Sequence, residues 1–359
     1  MNETTGTGVG ELAVSSASGG LRQALWIRLH DADFQRLLIN VSVILIIGLF
    51  VQTQTGRFFI PRNLESLSIE IAVMTICAAA ETLVMVAGQI DVSIAGVVAM
   101  TGVVAGMLIT GGVPMWLAFL LATLVGMGVG VVNGILVIGV RIPAFIATVG
   151  TLFVAQGAAS LFTNGLTIVG VPQDFGVIGS GYIGGEIPFA LPIILITVSI
   201  LVAIQRYTVF GRHVVAVGSN LPAAYLNGVN VNWTLMRCFM ISGLVAGWGG
   251  VMYASRLGNP TPVVDSLLLF QCIVAVVVGG TSMTGGQGSV LGTFVGCILI
   301  GVLNNALNLL GVSTFYQYLA LGVLLVASVA SGELLRPQTM QQIRQFASRL
   351  RRLRPGRAG

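Results

Sequence analysis

A chain of 359 residues that is 55% hydrophobic and only 8% charged cannot cover globular cores with a solvated surface, because soluble domains carry about 25% charged residues. This composition excludes a soluble enzyme, a disordered protein and a coiled coil, and it indicates an integral membrane protein of many helices. The net charge is +5, and all 17 basic residues are Arg. Because a P-loop requires a Lys on the nucleotide phosphates, we do not expect a Walker-type ATPase.

Ten apolar segments follow one another along the chain, separated by Gly, Pro or charged residues. They cover 37–53, 66–88, 92–110, 115–138, 142–163, 187–205, 235–255, 267–283, 289–310 and 314–331. A membrane-spanning helix needs about 20 mostly apolar residues, and only the third and eighth segments fall clearly short of a clean run. We therefore predict an all-α integral membrane protein with about ten transmembrane helices, some of them interrupted.

The arginines predict the orientation, since short cytoplasmic loops collect basic residues. Clusters precede the first segment, follow the sixth and follow the tenth, so ten spans place all three clusters and both termini in the cytoplasm. Only Arg57, Arg62 and Arg256 then fall outside. The predicted division is a cytoplasmic N-terminal tail (1–36), a transmembrane domain (37–331) and a basic cytoplasmic tail (332–359). The basic tail either contacts anionic lipid or an acidic partner, or simply anchors the topology.

Glycines at four-residue spacing predict close helix packing, which replaces the hydrophobic drive in lipid. The three sets are Gly126, Gly130 and Gly134; Gly243 and Gly247; and Gly288, Gly292 and Gly296. Such faces pack either within the chain or against a second permease subunit. The four cysteines lie inside apolar segments without CxxC spacing, and the two histidines are far apart, so we predict buried thiols and no metal site.

Acids inside apolar segments are candidates for function, because a charge in hydrocarbon is costly. Glu70 and Glu81 lie eleven residues apart, on one helix face about 16 Å from each other, with Met74 and Cys77 between them. This face either lines a wet path or a subunit seam, or Glu81 is a hydrogen-bonded interior acid. Asp91, in the break AGQIDVSIAG, either caps the next helix or contacts a solute.

Four ordered motifs carry a family resemblance: TLVMVAGQIDVSIAGVVAMTG (82–102), VVNGILVIGVRIPAFIATVGTL (131–152), FGRHVVAVGSNLPAAYLNGVNV (210–231) and VVVGGTSMTGGQGSVLGTFVGCILIGVLNNALNLLGVS (276–313). In this order they resemble the permease subunits of ribose/xylose-type bacterial ABC sugar importers, over roughly 60–331. Branched-chain amino-acid permeases share the layout, but the forms TSMTGGQGS and VLNNALNLLGVS look like the sugar branch.

The resemblance implies a type II ABC importer-like fold in the bacterial inner membrane, with no bond chemistry and no cofactor on this chain. It implies a cytoplasmic ABC ATPase that holds ATP and Mg, an extracytoplasmic sugar-binding protein and a second permease subunit, with no nucleic acid. It also implies that 206–233 is the loop that docks the ATPase. The expected docking residues are Phe210, Gly211, Arg212, Gly218, Asn220, Ala223, Ala224 and Gly228.

The residues of this loop independently suggest a rigid knob. The stretch LPAAYLNG reads as a short helix opened by Asn220 and closed by Gly228. The alternative is an ordinary cytoplasmic loop. One departure concerns the second subunit: the family often has an acidic pair before VVVGG, where this chain has Leu269 and Gln271. If those acids serve coupling or assembly, we expect this chain to be one half of a heterodimer with a more typical partner; the residues themselves leave a homodimer or a heterodimer open.

We expect a transport subunit for a monosaccharide or related polyol, switched between inward-open and outward-open states by the partner ATPase. Polar residues in or near spans are the candidates for the solute path: Glu81, Asn133, Thr148, Thr151, Asn304 and Asn305. For each of them, hydrogen bonding between helices is the alternative role. Rival functions are a proton- or sodium-coupled transporter using Glu70, Glu81 and Asp91, a branched-chain amino-acid-type ABC permease, and a membrane scaffold.

Overall fold

The computed structural model describes residues 32–334, and within that range the chain is almost entirely helical. The helices are α1 (Ala32–Thr55), α2 (Pro61–Val86), α3 (Ile94–Thr110), α4 (Met115–Gly134), α5 (Ala144–Thr163), α6 (Val177–Ser180), α7 (Ala190–Tyr207), α8 (Val209–Ser219), α9 (Leu221–Leu226), α10 (Val231–Leu257), α11 (Ser266–Val278), α12 (Val290–Leu309) and α13 (Thr314–Leu334). A π-helical turn (Ile135–Gly139) extends α4, and a 3₁₀ turn (Gln173–Gly176) precedes α6. Two short strands, β1 (Tyr182–Ile183) and β2 (Ile187–Pro188), form an antiparallel hairpin.

The predicted all-α membrane fold is confirmed, and each of the ten predicted segments overlaps an apolar helix. Within residues 32–334, seven helices are long and apolar enough to cross a membrane, while three shorter apolar helices cover Ile94–Thr110, Leu267–Val278 and Phe315–Ala330. The first two of these are the segments expected to be short. The count of ten spanning helices thus stays a prediction. The predicted tails lie mostly outside the described residues, except that α1 begins at Ala32 and α13 continues to Leu334.

Helix α2 forms the centre of the bundle. Every residue from Ile71 to Val86 is buried, and the helix contacts α7, α10, α11 and α12. The outer helices α1, α5 and α7 instead expose large apolar side chains, such as Leu161 at 79%. An apolar exterior around a buried helix is what a lipid-embedded bundle requires, because lipid solvates the outer side chains.

Glycines allow α4 and α10 to cross in close contact. A Cβ on Gly126 would lie 2.5 Å from the carbonyl oxygen of Gly243, and one on Gly130 would meet the Phe239 carbonyl. The predicted faces therefore pack within the chain, and this contact leaves room for no side chain. The third predicted set differs. Gly296 packs against the Ala275 carbonyl of α11, but Gly288 has φ +152 and precedes α12, so it is not part of a helix face.

The bundle has two distinct ends. At one end lie α8 and α9, the C-terminal ends of α2 and α7, and the loop 279–289. Arg36 at the start of α1 reaches this same end, where its Nη1 donates to the Gly280 carbonyl at 3.1 Å. At the opposite end lie the start of α2, the end of α10 and the segment between α5 and α7, because Ile168 N–H donates to the Pro260 carbonyl at 3.0 Å.

Candidate functional site

The break between α2 and α3 is organised around Asp91. The helix stops where Gly88 adopts φ +79, a conformation that suits glycine. Asp91 Oδ1 then accepts hydrogen bonds from Ser93 N–H at 3.0 Å and from Ser93 Oγ at 2.5 Å. Ser93 immediately precedes α3, and its side chain makes no capping hydrogen bond. Asp91 thus accepts a free N–H group at the start of α3, as the capping alternative expects, and that group belongs to the residue just before the helix.

Side chains from α4, α5 and α10 complete a network around Asp91. Ser242 Oγ donates to Asp91 Oδ2 at 2.8 Å. On the other side, Asn133 Nδ2 donates to Ser93 Oγ at 2.8 Å, and Thr151 Oγ1 donates to Asn133 Oδ1 at 2.6 Å. All five side chains are buried. The network thus ties the break to three different helices through hydrogen bonds away from water.

The backbone of the break is satisfied by Glu81 and Thr148. Asp91 N–H donates to Glu81 Oε1 at 3.0 Å, and Val92 N–H donates to Thr148 Oγ1 at 3.1 Å. Thr148 Oγ1 also lies 3.3 Å from the Ile90 carbonyl. Irregular backbone inside a membrane bundle needs such partners, because no bulk water is available there. Glu81 Oε2 is buried and has no hydrogen-bond partner among the described residues.

One cluster therefore contains four of the predicted path residues, namely Glu81, Asn133, Thr148 and Thr151. We name this cluster, together with Asp91, Ser93 and Ser242, the Asp91 network. Sequence reasoning missed Ser93 and Ser242. The first could have been found from its position two residues after Asp91, but nothing in the sequence pairs Ser242 with a residue 151 positions away. These side chains hydrogen-bond to one another and to the break, as their alternative role of joining helices requires. A contact between them and the solute stays a prediction.

Asn304 and Asn305 belong to a different part of the bundle. Asn305 exchanges two amide hydrogen bonds with Asn63, at 2.9 and 3.0 Å, joining α12 to the first turn of α2. Asn63 lies 18 residues before Glu81, about 27 Å along the helix. Asn304 is buried on the same helix as Asn305. The structure therefore separates the six predicted path residues into two groups.

The predicted stripe on α2 faces other helices. Met74 and Cys77 are fully or almost fully buried, and Cys272 Sγ of α11 lies 3.6 Å from the Met74 carbonyl. Glu70, in the outer half of α2, is half-buried, and Arg256 Nη1 donates to its carbonyl at 3.4 Å. The four free cysteines are all buried, as predicted.

The predicted docking loop folds into two short capped helices. Thr208 Oγ1 accepts from Gly211 N–H at 3.1 Å to open α8, and Asn220 Oδ1 accepts from Ala223 N–H at 3.0 Å to open α9. Gly228, with φ +79, follows α9 in the left-handed conformation that ends helices. The helix expected between Asn220 and Gly228 is thus present, and caps of this kind hold its direction.

The exposed tip of this loop is apolar. Tyr225 is 71% exposed and Leu226 is 83% exposed. Beside them is a cleft of about 420 Å³ lined by Tyr225, Gly228, Val229, Asn230, Val231 and Asn232. Of the predicted docking residues, Arg212 and Asn220 are exposed, whereas Gly211 and Ala224 are buried and attach the two helices to the bundle.

Glycine backbones join this loop to the C-terminal end of α2. A Cβ on Gly218 of α8 would collide with the Val86 carbonyl, and one on Gly285 would lie 2.7 Å from Gly88 Cα. Gly286 N–H also donates to the Val86 carbonyl at 2.8 Å. We name these four glycines, Gly88, Gly218, Gly285 and Gly286, the glycine junction. Through it, α8 touches the end of α2 just before the break.

The departure at Leu269 and Gln271 lies on α11. Leu269 is 5% exposed and belongs to the main apolar core, while Gln271 is half-buried. A leucine in this position is therefore explained by packing within the chain.

Known proteins resemble this chain over most of its length. Residues 63–329 match the model of the family described as "Branched-chain amino acid transport system / permease component". The ribose import permease of Haemophilus influenzae is 33% identical over 305 residues, covering 84% of this chain and 92% of that protein. The L-arabinose ABC transporter permease of Azospirillum brasilense is 35% identical, covering 83% of this chain and 88% of that protein.

The D-allose transport system permease of Escherichia coli is 30% identical over 293 residues, covering 81% of this chain and 89% of that protein. No solved structure matches the chain. The matches confirm the family resemblance seen in the ordered motifs. The chain therefore belongs to the branched-chain amino acid transport system permease component family.

Proposed function

We propose that the chain is the membrane-spanning permease subunit of an ATP-binding cassette importer for a monosaccharide or related polyol. The observation that carries this proposal is the similarity, over more than four-fifths of the chain, to permeases named for ribose import and for L-arabinose and D-allose transport. The family model is named for branched-chain amino acids instead, so these amino acids are the second candidate substrates.

We expect the ATP hydrolysis that drives transport to take place on a separate cytoplasmic ATPase, which holds ATP and Mg. Supporting this, Tyr225 and Leu226 form an exposed apolar tip on a capped, rigid loop. Large exposed apolar side chains outside the spans mark an interaction surface. An extracytoplasmic sugar-binding protein and a second permease, identical or different, are the remaining partners. We propose that this chain itself catalyses no covalent reaction.

The orientation with both termini in the cytoplasm of a bacterial inner membrane is supported by the arginines. Those expected inside, within the described residues, are Arg36, Arg141, Arg206, Arg212 and Arg237, and all belong to the α8–α9 end. Those expected outside, Arg57, Arg62 and Arg256, belong to the opposite end. This segregation is typical of a protein whose α8–α9 end faces the cytoplasm.

Coupling between the ATPase and the spans is proposed to pass through α10 and the glycine junction. Helix α10 begins beside the docking loop, where Arg237 stacks on Trp233 at 5.0 Å, and it contributes Ser242 to the Asp91 network. The junction joins α8 to α2 by direct backbone contact. Movement of the docking loop would therefore be transmitted both to the end of α2 and to Asp91. An ATPase that binds one conformation of the loop more tightly shifts the population of permease toward that conformation.

The Asp91 network is proposed to control the solute path from within the bundle. Glu81, Asn133, Thr148 and Thr151 supply donors and acceptors suited to hydroxyl groups, and their present partners are one another or the break. Solute contact would require these bonds to exchange when the bundle opens. Asn304 and Asn305 are proposed to act separately, near the outer end.

The test is ATP-dependent uptake by the purified complex. The chain is co-purified with its ATPase, reconstituted in liposomes and supplied with binding protein and labelled ribose, arabinose, allose, leucine or valine. ATP-dependent uptake of a sugar supports the proposal, and uptake of leucine or valine supports the second candidate. Uptake by this chain alone, driven by a proton or sodium gradient without nucleotide, contradicts both and identifies a secondary transporter.

A further inference from the structure

The segment between α5 and α7, residues 164–189, has no role in the function proposed so far. It contains the 3₁₀ turn, α6 and the β1–β2 hairpin. We name it the outer segment, because it lies at the end of the bundle opposite to α8 and α9. Connections far longer than the usual few residues, held on a rigid scaffold, are often binding surfaces.

The outer segment is firmly attached to α10. Phe175 is fully buried, with its ring centre 5.9 Å from that of Phe119 on α4. Ser255 of α10 donates to the Phe175 carbonyl at 2.5 Å and accepts from Gly179 N–H at 2.8 Å. A Cβ on Gly179 would collide with the backbone of Arg256. Because of these contacts, a movement of the outer segment is transmitted to α10.

The hairpin presents apolar side chains away from the bundle. Ile183 pairs with Ile187 across the strands, and Tyr182 pairs with Pro188. Tyr182, Ile183 and Ile187 are exposed by 43%, 43% and 52%. These residues lie between the apolar helices α5 and α7, outside the candidate membrane spans. Clustered apolar exposure outside the spans indicates a surface that a partner covers.

The charge of the outer segment narrows the choice of partner. Asp174 and Glu186 are exposed, and the sequence from 164 to 189 contains no basic residue. Negative charge disfavours an anionic lipid surface, and it disfavours the same surface on a second copy, where like charges would meet. A protein with basic side chains around an apolar patch is complementary to it.

We propose that the outer segment is the docking surface for the extracytoplasmic binding protein, which presents Arg or Lys side chains to Asp174 and Glu186. This inference rests on the proposed function, since it takes this end of the bundle to face outward. Helix α10 then connects the two partners: Ser255 lies 13 residues from Ser242, about 20 Å along the helix. Docking outside thereby acts on the Asp91 network through α10.

The experiment measures how the sugar-loaded binding protein stimulates ATP hydrolysis by the permease–ATPase complex in lipid nanodiscs. The double variant Asp174→Arg/Glu186→Arg should raise the half-maximal concentration of binding protein about tenfold, and its response to added salt should be reversed or lost. Glu65→Arg reverses a charge at the same end outside the segment, and it should change that concentration less than about twofold. The size-preserving variants Asp174→Asn and Glu186→Gln should each raise the half-maximal concentration about threefold. They test the inference even if the double variant fails to assemble.

Unchanged half-maximal concentrations in the double and single variants would overturn the inference while leaving the proposed function intact. Two other results would also overturn it. One is disulfide cross-linking of Ile183→Cys between two copies of this chain. The other is a blue shift of a fluorophore at Ile183→Cys when anionic lipid is added without binding protein. Lack of stimulation in the wild-type complex would instead overturn the proposed function, and this inference with it.

Discussion

Ser242 Oγ donates a 2.8 Å hydrogen bond to Asp91 Oδ2, joining the middle of α10 to the break between α2 and α3. Helix α10 also packs against α4 through glycines and begins next to the docking loop. One helix thus contacts the docking loop, the buried polar network and the outer segment. Because packed cores are bistable rather than continuously deformable, such a helix is suited to carry a switch between its ends.

Ser242→Ala should destabilise the complex and slow transport. The variant leaves Asp91 Oδ2 buried without its hydroxyl donor. Interhelical hydrogen bonds in membranes are worth about 0.6 kcal/mol on average, but a buried acceptor left unpaired costs roughly 1–3 kcal/mol. Thermal unfolding and uptake are measured together. Ser66→Ala is the control, because Ser66 is exposed and bonds only within its own helix; equal melting temperatures for the two variants would contradict the expectation.

Gly218→Ala should uncouple the ATPase from transport. The new methyl group would collide with the Val86 carbonyl and push α8 away from α2. Overpacking of this kind costs typically about 1–3 kcal/mol. We expect ATP hydrolysis and co-purification of the ATPase to persist while uptake falls about tenfold. Gly157→Ala is the matched control, since a Cβ there meets nothing within 4 Å. Equal uptake by both variants would show that the glycine junction transmits nothing.

Tyr225→Ala and Leu226→Ala should weaken binding of the ATPase without unfolding the permease. Both side chains are exposed at the tip of the docking loop, so truncation removes contact with a partner and almost none within the chain. Anchoring side chains at interfaces contribute about 2 kcal/mol or more, which predicts a dissociation constant raised about 30-fold. Leu161→Ala, an exposed leucine on α5, is the control. Affinity is measured in detergent by titrating fluorescent ATPase, and unchanged values would assign docking to another surface.

Thr151→Val distinguishes a path residue from a purely structural one. Valine keeps the shape of threonine but removes the hydroxyl that donates to Asn133 Oδ1 at 2.6 Å. If Thr151 contacts solute, the ratio of uptake rates for ribose, arabinose and allose should change by about threefold or more, because a lost hydrogen bond contributes about 0.5–1.5 kcal/mol. A structural role predicts that all rates fall by one factor. Thr151→Ser, which restores a hydroxyl, should recover the wild-type ratio.

The helices were predictable from the sequence because apolar length is written directly in it, and the shortness of α3 and α11 was visible as well. Glycine spacing predicted close packing, yet it did not identify Gly243 as the partner of Gly126. Partner choice depends on how helices are arranged in space, and no local pattern encodes that. For the same reason, the sequence showed Glu81 and Asn133 as polar residues inside apolar segments. It did not show the division that places them in a different part of the bundle from Asn305.

Asn63 and Asn305 provide a test of that division. Their reciprocal amide bonds join α2 to α12 near the outer end of the bundle, so a double-mutant cycle should yield a coupling energy of about 0.6 to 1.7 kcal/mol. The variants are Asn63→Ala, Asn305→Ala and their combination, compared by unfolding in mixed micelles. Asn63→Ala combined with Asn227→Ala is the control, because Asn227 follows α9 at the other end of the bundle and should behave additively. Additivity in both cycles would mean that the amide pair does not hold α2 and α12 together.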